Sequence, residues 1–155
     1  MGVSTSVAIL ALALLASPLA AQKTILTLSG GVIALPAPTA ADYVAGFVNS
    51  ATGVTFTINA QTGASRTTTV SIRSSSLNLG GGKVIGDLEW RRSDLATWNI
   101  ITLTDAQVDQ KIQVRNGSND PWSNTIFFRM LLHWTTDAPA TYSGNYVITL
   151  SQTVP

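Results

Sequence analysis

The stretch TIFFRMLLHW, residues 125–134, decides the fold. Read as a strand, successive side chains alternate between two faces, so Ile126, Phe128, Met130, Leu132 and Trp134 fall on one and Phe127, Arg129, Leu131 and His133 on the other. The first set is wholly apolar and belongs to a core. A helix would place large aromatic side chains on both of its faces, and Pro121 before the run and Pro139 after it restrict helical continuation. The outer set is apolar for a solvated surface: Phe127 and Leu131 imply that a loop, the N-terminal segment or another molecule covers part of it.

Working outward, the same alternation recurs. GVTFTINA (residues 53–60) sets Val54, Phe56 and Ile58 against Thr55, Thr57 and Asn59, and TTTVSIRS (residues 67–74) turns Val70 and Ile72 inward. With QTGASR between them, the two runs are expected to form a hairpin. DLEWRR, WNIITL, KIQVRN and GNYVITLSQT are further strand-length segments, as are TILTLSGG and VIAL near the N-terminus. PAPTAAD (residues 36–42) reads as an extended connector, SSSLNLGGGK (residues 74–83) as a polar, glycine-rich mobile loop, and LTDAQVDQK (residues 103–111) as one short helical turn. Eight or nine strands at this spacing indicate an all-β antiparallel sandwich.

The 155 residues carry 9 Lys plus Arg, 8 Asp plus Glu, and no cysteine. That balance offers no electrostatic footprint for nucleic acid, and without thiols there is no disulfide scaffold, thiolate zinc site or cysteine nucleophile. VAILALALLASPLA (residues 7–20), too short to span a bilayer comfortably, has the form of a secretory signal peptide ending at about Ala21. An uncleaved anchor is the alternative. Residues 22–155 then form one β-sandwich domain, expected in the medium, on a cell surface or in the periplasm, with no second apolar run long enough for a membrane span.

The tail DAPATYSGNYVITL (residues 137–150) resembles the end of a bacterial immunoglobulin-like domain, and LLHW just upstream is typical of small secreted bacterial β-sandwich proteins. The resemblance implies an immunoglobulin-like sandwich with the ring of Tyr142 filling one end and its hydroxyl bonded to nearby main chain. TILTLSGGVIAL (residues 24–35) is similar to the N-terminal segment of pilin and spore-coat-type subunits, which implies assembly by donating a strand to a neighbour. Those families usually carry a cysteine pair that this chain lacks, and the segment reads more readily as the domain's own first strand.

Catalytic equipment is sparse. His133 is the sole imidazole, points outward and has no nucleophile motif beside it. Glu89 is the sole glutamate; with Asp87 on its face it lies beside Arg91, the composition of a surface ion pair. A calcium loop over residues 116–124 lacks regular ligand spacing. Trp134 and Trp90 are assigned to the core by parity, and Trp98 shares a face with Ile100. That leaves Trp122, beside Asn119 and Asp120, as the exposed platform for a ligand, with a lid over the sandwich end as its plainer role. No enzyme activity, metal or cofactor is expected. The function read from these residues is structural or adhesive, with protein subunits or a second copy as partners; the alternative is a module that binds a carbohydrate or another surface ligand.

Overall fold

The computed structural model describes residues 24–30, 33–60, 65–113, 121–137 and 140–153. In chain order the elements are β1 (Thr24–Ser29), β2 (Ile33–Ala34), α1 (Ala40–Ala45), β3 (Phe47–Asn49), β4 (Val54–Ala60), β5 (Arg66–Arg73), β6 (Asn78–Gly80), β7 (Lys83–Val84), a 3-10 turn (Ile85–Asp87), β8 (Leu88–Arg92), β9 (Asn99–Ile100), β10 (Ala106–Gln113), β11 (Trp122–Leu131), β12 (Ser143–Gly144) and β13 (Val147–Thr153). All strand pairs among the described residues are antiparallel, as expected. The signal peptide expected over residues 1–21 lies outside the described residues, among which no helix is long and apolar enough to cross a membrane.

Two sheets form the architecture. The larger runs β1-β4-β11-β8-β9, with β3 beside the C-terminal half of β11; the smaller runs β10-β5-β13. Short β2-β12 and β6-β7 pairs accompany them. Phe56 and Ile58 from β4, Leu88 from β8, and Ile126, Phe128 and Met130 from β11 are fully buried with Val70 and Ile72 from β5. Each such side chain contributes about 1.5–3 kcal/mol by leaving water.

β3 and β4 run along the same edge of β11, but their registers differ by two residues: Asn49 faces Arg129 and Val54 faces Ile126. Ser50 closes this wide bulge, its N–H donating to Phe128 O (2.8 Å) and its hydroxyl accepting from Phe128 N–H (3.2 Å).

The expected hairpin over residues 54–73 is an arch instead. β4 pairs with β1 and β11, whereas β5 pairs with β10 and β13, so consecutive strands lie in different sheets. Their apolar faces meet across the core, and alternation reads the same whether the next strand lies beside or opposite. β1 pairs with β4 of its own chain through six residues, Thr24 opposite Ala60 to Ser29 opposite Thr55.

Three local expectations are also corrected. Residues 40–45 are helical because Thr39-Ala-Ala-Asp42 is a capping box: the Thr39 hydroxyl accepts from Asp42 N–H, and the Asp42 carboxylate accepts from Thr39 N–H (2.8 Å). The segment around residues 104–109 enters β10, with Val108 buried, because packing against β5 outweighs a weak local helix signal. The glycine-rich stretch forms β6 and β7, burying Leu79 and Lys83; Gly80, Gly81 and Gly82 all take positive φ, which makes the tight reversal accessible.

Candidate functional site

The outer face of the larger sheet gathers the most unusual set of side chains. Antiparallel pairing sets Phe127 opposite Arg91, and Arg129 opposite Glu89 on one side and Asn49 on the other; Leu131 faces Phe47. Cross-strand partners share a face, so one patch holds both arginines and two phenylalanines. The segment after β8 then returns across it. Ser93 N–H donates to Thr125 O (2.8 Å) and the Ser93 hydroxyl to Asn124 Oδ1 (2.9 Å), while Arg91 donates to Leu95 O (2.9 Å). These bonds hold the path that brings Trp98 over the two guanidinium groups.

The result is an alternating stack. The Arg91 guanidinium lies 5.5 Å from the Phe127 ring centre and 5.1 Å from that of Trp98; the Arg129 guanidinium lies 4.5 Å from Trp98 and 4.7 Å from Phe47. Such contacts each contribute roughly 0.5–2 kcal/mol depending on how dry they are. Arg129 Nε also donates to Glu89 Oε2 at 2.5 Å. Beside the stack is a depression of about 540 Å³ lined by Phe47, Asn49, Ser50, Arg91, Trp98 and Arg129 among others. That volume falls within the range of small-ligand sites.

This arrangement answers why Phe127 and Leu131 can face outward: a loop covers part of the face, one of the three coverings expected. It also corrects two assignments. Trp98 stands on this outer face, and Ile100 is 54% exposed, so their shared parity does not place them in the core. Glu89 pairs with Arg129 across the strands instead of with Arg91 along its own strand. Asp87 accepts from Val84 N–H (2.9 Å) and caps the 3-10 turn.

A second cluster gathers around Asp137. Lys83 and Asp137 form a buried ion pair, His133 N–H donates to the same Asp137 carboxylate (2.6 Å), and Lys83 Nζ lies 5.7 Å from the Tyr142 ring centre. Burial opposes ionisation of Asp137, but the hydrogen bonds from Lys83 and His133 outweigh it and hold its carboxyl below the ordinary aspartate range. Burial pushes the Tyr142 phenol up to about 12, with help from a side-chain hydrogen bond to Tyr43. Tyr142 is buried. Trp134 is not: β11 ends at Leu131, strand parity ends with it, and Trp134 is 61% exposed with its ring 4.9 Å from that of Tyr43. His133 is exposed.

Trp122 opens β11 opposite Ile58, half-buried against the core, with Lys111 Nζ 5.9 Å from its ring centre. Its indole Nε1 is buried without a hydrogen-bond partner among the described residues. Asn119 and Asp120 lie outside the described residues, as does most of the candidate calcium loop over residues 116–124. Sequence reasoning missed Phe47, Arg91 and Trp98 as site residues. The available signal was the outward parity of Arg129 between Phe127 and Leu131, which marks a covered face but does not identify the cover.

No protein-family model, curated protein or solved structure matches the chain.

Proposed function

We propose that this chain is an exported, non-enzymatic adhesion module that holds a surface ligand against the outer face of its larger sheet. The observation that carries this reading is the stack of Phe127, Arg91, Trp98, Arg129 and Phe47 with its adjoining depression. Aromatic rings and arginine forks on a rigid sheet are the side chains that supply most binding energy at recognition surfaces. The chemistry present suits holding over turnover: Glu89, the sole glutamate, is engaged by Arg129, and the exposed His133 is absent from the depression's lining. Export rests on the signal-like residues 7–20.

Contact through this face is favoured over assembly by strand donation, because residues 24–29 pair with β4 of the same chain. The test is retention of the full chain on intact producing cells and on immobilised envelope polysaccharide, compared with Trp98→Ala. The reading expects the parent to be retained and Trp98→Ala to lose at least tenfold while still folded by circular dichroism at the assay temperature. Equal retention would move the contact elsewhere, and no retention of either chain would sink the adhesion reading.

A further inference from the structure

The two arginines of the stack differ in what they have left to offer. Arg129 is neutralised by Glu89. Arg91 forms no ion pair with a described residue: its Nη1 donates to Leu95 O (2.9 Å) and, at the limit of a hydrogen bond, to Arg92 O (3.5 Å), and its Nε and Nη2 have no acceptor among the described residues. A guanidinium's five hydrogens lie in its plane, and here the rings of Phe127 and Trp98 pack against the group. Its remaining capacity is therefore the in-plane fork that matches a carboxylate or a sulfate. Asn49, exposed in the same depression, makes no side-chain hydrogen bond among the described residues.

Resting on the adhesion reading above, we infer that this depression is an oxyanion site for an acidic saccharide, with Arg91 taking the carboxylate or sulfate and Asn49 a neighbouring hydroxyl. Charge complementarity sets the anion: Glu89 cancels one of the two guanidinium charges lining the site and leaves the other. The sheet face sets the saccharide. Strand main-chain groups bond within the sheet, so an extended peptide, which is recognised through an open edge, finds only side chains here. Neutral amide donors and acceptors beside aromatic rings suit a hydroxylated ring instead.

The test is calorimetric titration of the full chain with four probes of equal length: an oligouronate, a sulfated oligosaccharide, its neutral parent and an oligoglutamate. Binding of the uronate, the sulfated probe or both is expected, with the neutral parent at least tenfold weaker and affinity falling as salt rises. Uronate alone assigns a carboxylate, and the sulfated probe alone assigns a sulfate. Arg91→Gln and Arg91→Lys should each lose at least tenfold, since lysine keeps the charge but not the fork. Asn49→Ala, at an exposed position, should weaken saccharide binding without changing the melting temperature. Neutral and charged saccharides binding equally, with no effect of Arg91, would overturn the oxyanion site and leave adhesion through the face standing. Oligoglutamate as the tightest probe would overturn the saccharide assignment. Binding of no probe would overturn the inference, while retention dependent on Trp98 would still decide the adhesion reading separately.

Discussion

Lys83 and Asp137, 54 residues apart in the chain, meet as an ion pair with side chains only 1% and 8% exposed. Removing one partner strands the other charge away from water. Lys83→Met should cost about 3–5 kcal/mol, whereas the double change Lys83→Met with Asp137→Leu should recover much of that loss. Urea unfolding of the three chains measures both. A single-variant loss below about 1 kcal/mol would mean that water reaches the carboxylate and the cluster is not a closed clamp.

The same carboxylate predicts an acid limb. A carboxyl held below its unfolded value contributes stability that is present above the ordinary aspartate pKa and is lost as pH falls through the folded one. Loss through Asp137 should therefore begin near pH 4 and continue below it, and Asp137→Asn should flatten that limb. Tyr142 has the opposite sign: its folded value, about 12, lies above the ordinary 10.0, so its share is present below pH 10.0 and is lost as pH rises towards 12. Melting temperature against pH reads both limbs, and an acid limb unchanged in Asp137→Asn would assign it to other carboxylates.

Gly53, at the end of the bulge, leaves no room for a methyl group. A Cβ there would stand 2.4 Å from Thr125 Cγ2, 3.0 Å from Ile126 O and 3.1 Å from Phe127 Cε1. Thr125 has little freedom to yield, since its hydroxyl bonds that of Thr55 across the strands at 2.8 Å. Gly53→Ala should cost about 1–3 kcal/mol and lower the melting temperature. An unchanged melting temperature would show that the bulge relaxes freely.

A chain beginning at Pro36 would lose β1, β2 and the buried Ile33 and Leu35. Those two side chains alone represent about 3–6 kcal/mol of burial, comparable with the whole stability of many domains. The shortened chain should be unfolded or aggregated by circular dichroism and light scattering. A folded monomer would make residues 24–35 dispensable and return strand donation to consideration.

The buried face of each long strand was legible in the sequence. Val54, Phe56, Ile58, Val70, Ile72, Ile126, Phe128, Met130 and Leu132 all lie inside, as alternation places them. Pairing was not legible, because a period of two records which way a side chain points and not what lies next to its strand. Parity also misled where strands end: Trp134 lies beyond β11, and Trp98 precedes the two-residue β9. Lys83 sat among glycines, where a charge reads as solvent-facing, and its distant partner left no local trace. The candidate site was half visible. Arg129 between Phe127 and Leu131 marked an outer face in need of cover, but the cover depends on a turn that carries Trp98 back over the sheet.

The arch between β4 and β5 governs the order in which the molecule can be completed. During synthesis from the N-terminus, β4 first meets only β1, and β5 emerges with neither of its neighbours. The centre of the larger sheet waits for β11 and the last flank of the smaller for β13, so β4 and β5 cannot settle as a hairpin with each other. Topologies dominated by such distant pairings fold slowly, in milliseconds to seconds, and leave strand edges exposed meanwhile. A chain interrupted before Val147 would still have β5 open along one side.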